Sequence, residues 1–200
     1  MTASDHFRLF LALAIPPEVK TEIAKTQADL RHDLSTAKIR WSTTEQWHLT
    51  LRFLGNVDVS RLDSLIEKIT SVCRTSNSLL LHAEGIGVFP PKRPPRVIWV
   101  GLRDVDGQLK KLQAELQAAT NEFTSEPPEE TFTAHVTLGR VKTIARPEAE
   151  LLSSHLPQLR DRHFGEWNAK TVELMRSELG SEGARHTVLA AIPLGYLTLS

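Results

Sequence analysis

Apolar positions along the chain follow two rhythms, one of strands and one of helices. Leu9-Phe10-Leu11-Ala12-Leu13-Ala14-Ile15 is a short continuous apolar run and reads as a first buried strand over 7–15. Pro16-Pro17 break that run and can open a helix, in which Val19, Ile23, Gln27 and Leu30 keep helical spacing to about Leu34. Residues 39–42 read as a short extended piece and 43–46 as a turn. From Trp47 to Leu54 polar and apolar residues then alternate with a period of two, as in a half-buried strand closed by Gly55-Asn56. Leu62, Leu65, Ile66, Ile69 and Val72 mark a second amphipathic helix, capped by Asp58 or Ser60. Residues 79–86 and 97–102 read as strands, separated by Phe89-Pro90-Pro91-Lys92-Arg93-Pro94-Pro95-Arg96, whose prolines forbid regular structure. That basic segment is either a solvated connection or a contact for nucleic-acid phosphates.

Leu109, Leu112, Leu116 and Ala119 predict a third helix from Asp106, ended by the segment 125–130. A second alternating strand follows at Ala134-His135-Val136-Thr137-Leu138-Gly139-Arg140. Residues 146–159 read as a short helix and loop, and 171–179 and 187–192 as two last strands joined by a hairpin turn at Ser181-Glu182-Gly183. The order predicts an α+β chain of two similar halves, each giving one alternating strand to a shared cleft.

Composition narrows the classes of function. A chain of 200 residues with 40% hydrophobic and 24% charged residues suits one large domain or two small lobes that share an interface. Its formal net charge of +0 excludes a protein that coats nucleic acid by bulk electrostatics, so any nucleic-acid contact is local. The single cysteine, Cys73, falls in the second helix as a small packing residue and fits a reducing cytoplasm. Asp5, His6 and Arg8 precede the first apolar run, which favours a strand over a signal peptide, and no run has the length of a membrane span. A monomer with no membrane contact and no obligate protein partner is expected.

The two alternating strands carry the chemistry. His48-Leu49-Thr50-Leu51 and His135-Val136-Thr137-Leu138 are two copies of one tetrad. Strict alternation puts His48, Thr50 and Arg52 on one face with Leu49, Leu51 and Phe53 on the other, and likewise sets His135 and Thr137 against Val136 and Leu138. Two imidazoles, ordinarily titrating near pH 6.5, can supply one base and one acid for in-line displacement at a phosphodiester. A threonine hydroxyl two residues along, at Thr50 and Thr137, can bind a non-bridging oxygen. Arg52 either meets the phosphate or pairs with a carboxylate. Neither a His-Glu-x-x-His spacing nor a dense Asp/His cluster is present, so no metal and no other cofactor is expected. Phe10, Trp47 and Phe132 are candidates to stack on a base, with core packing the plain alternative for Phe10 and Phe132; Trp99 and Trp167 read as core or lobe contacts. His6, His32, His82, His155, His163 and His186 lack comparable context and read as solvated or packing residues. A binding module that holds nucleotides or RNA ends without turnover is the alternative to an enzyme.

These tetrads resemble the paired motifs of the 2H phosphoesterase superfamily, and within it the RNA 2',3'-cyclic phosphodiesterases, also called 2'-5' RNA ligases or LigT-like proteins. The flanks match as well: Arg8-Leu9-Phe10 with Ala12 and Pro16, Leu51-Arg52-Phe53-Leu54-Gly55, Val97-Ile98-Trp99-Val100-Gly101, and Arg176-Ser177-Glu178-Leu179. The resemblance implies a single bilobal α+β domain over 1–200, with pseudo-twofold duplicated antiparallel sheets, outer helices and a central cleft. It implies hydrolysis of RNA-terminal or small nucleoside 2',3'-cyclic phosphates to 2'-phosphomonoesters, with weak 2'-5' joining, and substrates such as ADP-ribose cyclic phosphate or 2'-5' oligonucleotides as variants. By the resemblance His48 is the proton donor to the departing 3' oxygen, His135 the proton acceptor, and Arg140 a phosphate ligand. Strict alternation from His135 would turn Arg140 to the wrong side, so a bulge or the end of the strand must intervene. Ala134, Thr133 and Trp47 depart from the family pattern, which favours a proline, a basic residue and a smaller aliphatic there.

Overall fold

The computed structural model describes residues 5–91, 94–180 and 183–195. Lys92 and Arg93 of the proline-rich segment, and Ser181 and Glu182 of the expected turn, lie outside the described residues.

The first half supplies β1 (His6–Ala14), α1 (Pro17–Asp33), β2 (Lys38–Trp41), β3 (His48–Asp58), α2 (Leu62–Arg74) and β4 (Leu79–Phe89). The second supplies β5 (Val97–Asp104), α3 (Gln108–Thr120), β6 (His135–Thr143), α4 (Arg146–Leu159), β7 (His163–Ala169), β8 (Thr171–Gly180) and β9 (Gly183–Pro193). The strands form two antiparallel sheets, one ordered β3-β1-β8-β9 and the other β2-β6-β5-β4-β7. The halves interlock, because β2 edges the second sheet beside β6 while β8 and β9 complete the first.

Three of the helices turn an apolar stripe inward: Val19, Ile23 and Leu30 from α1, Leu65, Ile69 and Cys73 from α2, and Leu109, Leu112 and Leu116 from α3. These stripes and the apolar rows of both sheets form one continuous core. Cys73 is fully enclosed in it, and burial pushes its thiol up to about 12, which fits a packing role. Among the described residues no helix is long and apolar enough to cross a membrane.

Three elements depart from the sequence reading. β3 does not close at Gly55-Asn56; Gly55, at φ 63, takes a left-handed conformation open to glycine, and the strand runs on to Asp58. Asp58 then accepts from the Ser60 backbone N–H at 2.8 Å and caps the turn into α2. β7 has no counterpart among the expected strands. It is a short strand with Phe164 and Ala169 buried, and its place is fixed by pairing with β4 rather than by alternation of its own. Residues 146–159 are helical throughout, with Pro157 inside the last turn.

Candidate active site

Both tetrads break strict alternation at the same point. Opposite β1, Thr50 pairs with Ala12 but Arg52 pairs with Leu11, so Leu51 is an extra residue in β3. Opposite β5, Thr137 pairs with Trp99 but Gly139 pairs with Ile98, so Leu138 is the extra residue in β6. Each bulge reverses the face of everything after it. In β6 it turns Arg140, which pairs with Val97, onto the face of His135 and Thr137. In β3 it reverses the expected placement: Arg52 leaves the row of His48 and Thr50, and Phe53 joins it opposite Phe10. Phe53 is 53% exposed and Arg52 only 4%, contrary to the alternation that assigns Phe53 to the core.

The two faces line one cleft of about 730 Å³ that holds His48, Thr50, His135, Thr137 and Arg140 together. The imidazoles are mounted alike. Nδ1 of His135 donates to the Thr133 carbonyl, two residues back, at 2.7 Å. The His48 ring likewise hydrogen-bonds the backbone of Gln46, two residues before it. A carbonyl can only accept, so it fixes the proton on Nδ1 of His135 and leaves Nε2 for chemistry. Aromatic rings back both: Phe10 lies 4.8 Å from His48, and Phe89 and Trp99 lie 5.2 and 6.2 Å from His135. Burial pulls the His48 pKa down to about 4, with the nearby His186, Lys20 and His135 adding cationic repulsion against the hydrogen bond to Gln46.

The Thr50 and Thr137 hydroxyls line the cleft and are engaged by no other group among the described residues. Arg140 is exposed on the cleft wall, beside Arg40 of β2, and meets no carboxylate among the described residues. The bulge that presents it is braced from α1. Gln27, buried in the helix stripe, donates from Nε2 to the Leu138 carbonyl at 3.0 Å and to the Ser42 carbonyl at 2.9 Å. Gly139 is required beside it, since a Cβ there would come within 2.9 Å of both Ile39 and the Trp41 ring.

Arg52 has a different task. Its Nη1 donates to the Pro127 carbonyl at 2.7 Å and to Gln117 at 3.3 Å, and its Nη2 to the Glu126 carbonyl at 2.9 Å and to Asn121 at 3.4 Å. Its partners among the described residues are carbonyls, not a carboxylate, and it fastens the segment after α3 as a wall of the cleft. Glu129 on that wall feels both His135 and Arg52, though burial, the larger effect, raises its carboxyl pKa.

Of the stacking candidates, Trp47 and Phe10 are each 2% exposed and belong to the interior, Phe10 as the backing of His48. Phe132 is half-buried on the cleft wall. Trp99 lies across Gly87 in the second sheet, and Trp167 pairs with Leu81. Sequence reasoning misassigned two cleft residues, Phe53 to the core and His186 to solvent or packing. The bulge hid the first. The second comes from β9, and no local pattern could bring it to His48, because the meeting depends on the order and curl of a whole sheet.

A family model described as LigT like phosphoesterase matches the chain twice, over residues 13–99 and 100–186. The same offset carries His48 onto His135 and Phe53 onto Arg140. The chain is 30% identical over 182 residues to an RNA 2',3'-cyclic phosphodiesterase of Methanocaldococcus jannaschii, covering 91% of this chain and 98% of that one. It is 35% identical over 137 residues to one of Thermotoga maritima, covering 68% and 70%. Among solved structures, TT0787 of Thermus thermophilus matches with a TM-score of 0.76 and 28% identity, over 94% of this chain and 97% of that one. Escherichia coli LigT complexed with 3'-AMP shares the fold, with a TM-score of 0.74 at 21% identity over 94% and 98%.

Proposed function

The chain belongs to the LigT-like family of 2H phosphoesterases, and from that premise we propose that it hydrolyses 2',3'-cyclic phosphates at RNA ends or on small nucleotides, leaving 2'-phosphomonoesters. The observation that carries this reading is the convergence of both His-x-Thr faces and Arg140 on one cleft.

In the step proposed, His135 takes a proton from water as its oxygen attacks phosphorus in line with the 3' oxygen. The P–O3' bond breaks, and His48 delivers a proton to the departing 3' oxygen. Thr50, Thr137 and Arg140 hold the non-bridging oxygens and the charge that builds on them. A ribose 5'-hydroxyl in place of water would join two ends by a 2'-5' linkage. No metal enters the step. With no anion beside it His48 is neutral at pH 7, since its pKa lies near 4. The donor role therefore requires that binding of the phosphate anion raise the affinity of the ring for a proton, which it takes up from solvent, as an adjacent negative charge favours the imidazolium. Phe53, exposed on the cleft face at the far side of Thr50, offers a ring on which the terminal base stacks.

The test is hydrolysis of 2',3'-cyclic AMP by chelator-treated protein, with the product identified as 2'-AMP or 3'-AMP. His48→Ala and His135→Ala are each expected to lose roughly 10²–10⁴-fold in kcat/KM. Near wild-type turnover by either variant, or 3'-AMP as the product, overturns the assignment.

A further inference from the structure

His186 lies on β9, the strand farthest from β3 in the first sheet, yet its ring centroid is 5.3 Å from that of His48 with the planes at 90°. The sheet curls enough to bring these two side chains together. Gln46, just ahead of β3, donates from its side-chain amide to the Ala184 carbonyl of β9 at 2.9 Å. Phe10 fills the space behind both imidazoles, 4.8 Å from one and 5.0 Å from the other. Held in this way, His186 lines the same cleft as the two tetrads.

Its Nδ1 is buried and has no hydrogen-bond partner among the described residues. A proton there would be a buried donor with nothing to accept it, which is costly. The neutral ring therefore carries its proton on Nε2, the nitrogen left to face the cleft, and a second proton, which would have to go on Nδ1, is disfavoured. Burial lowers the ring's pKa in the same sense. His186 is thus a neutral N–H donor beside an imidazole that must become charged, a combination that an anion between them would satisfy.

We propose that His186 is a substrate-binding residue of the cleft, donating from Nε2–H to a non-bridging phosphate oxygen on the His48 side. The proposal rests on the phosphodiester reading above and adds a ligand for which neither tetrad accounts. With Thr137 and Arg140 on the opposite wall, it holds the phosphate from both sheets.

The experiment compares wild type, His186→Ala and His186→Gln, the last placing a neutral N–H donor near the position of Nε2. Sulfate affinity is measured by calorimetry, kinetics with 2',3'-cyclic AMP, and folding by circular dichroism. His186→Ala is expected to weaken sulfate binding and raise KM about tenfold while kcat stays within about threefold, the pattern of lost ground-state binding. His186→Gln is expected to recover most of that affinity. Unchanged sulfate affinity in the alanine variant, or equal losses in alanine and glutamine variants, overturns the proposal in favour of packing alone. Sulfate binding needs no turnover, so an inactive wild type would refute the hydrolase reading while this measurement still decides the role of His186.

Discussion

His48 titrates far from an ordinary histidine, and this has a measurable consequence for stability. Burial is the main cause of its pKa near 4 against an ordinary 6.5, and His186 is the next. Between those two values the unfolded ring binds a proton that the native ring refuses. Unfolding then takes up a proton, and native stability falls as pH drops from 6.5 toward 4; above 6.5 the group contributes nothing. At about 1.4 kcal/mol per pH unit, the loss reaches roughly 2.5 kcal/mol by pH 4.5. Urea unfolding of wild type and His48→Gln across pH 7.5 to 4.5 isolates this part: the stability of wild type relative to the variant should fall by that amount over the range. Parallel stability curves, or an NMR titration of the His48 ring in the free protein with a midpoint near 6.5, would refute the reasoning. The same ring should take up close to one proton when sulfate, a dianion throughout this range, binds near pH 6. Calorimetry in two buffers of different ionisation enthalpy reads that uptake, and binding without it removes His48 from the donor role.

Three substitutions probe the supports of the cleft. Arg52→Met removes the four hydrogen bonds to Gln117, Asn121 and the carbonyls of Glu126 and Pro127; it should cost about 2–4 kcal/mol in urea unfolding and expose residues 126–129 to proteolysis, with the acid-base chemistry retained. Gln27→Leu leaves the Ser42 carbonyl without its donor and loosens the bulge at Leu138; a loss of about 1–2 kcal/mol and weaker sulfate binding are expected, and unchanged sulfate affinity would show that the bulge holds without α1. Phe53→Ala should raise KM for 2',3'-cyclic AMP by about tenfold or more while leaving sulfate affinity intact, and an equal loss for sulfate would place the ring's effect on the phosphate rather than the base.

What the sequence made legible was local. A period of two set His48 beside Thr50 and His135 beside Thr137, and helical spacing located the inward stripes of α1, α2 and α3, because each pattern is satisfied within a few residues of itself. The bulges were legible only in part. Leu51 and Leu138 are apolar and enclosed whether the strand is regular or bulged, so neither betrays the extra residue, and an arginine in the cleft with a phenylalanine in the core is chemically as acceptable as the reverse. The duplication held the missing information. If Arg140 must face the cleft, a bulge lies between Thr137 and Arg140; the repeat that carries 135–140 onto 48–53 then requires one between Thr50 and Phe53. β7 and His186 had no such signal: β7 is placed by pairing with β4, far back in the chain, and β9, although it pairs with its hairpin neighbour β8, brings His186 to His48 only through the pairing of β8 with β1 and of β1 with β3. One backbone device, used twice, thus presents a guanidinium from one sheet and an aromatic ring from the other. A cleft with nearly twofold scaffolding becomes polar end to end, with charge beside His135 and a flat apolar surface beside His48. Under the proposed function that asymmetry would give a nucleotide one way to lie, base toward Phe53 and phosphate between the imidazoles, which a symmetric pair of tetrads alone could not specify.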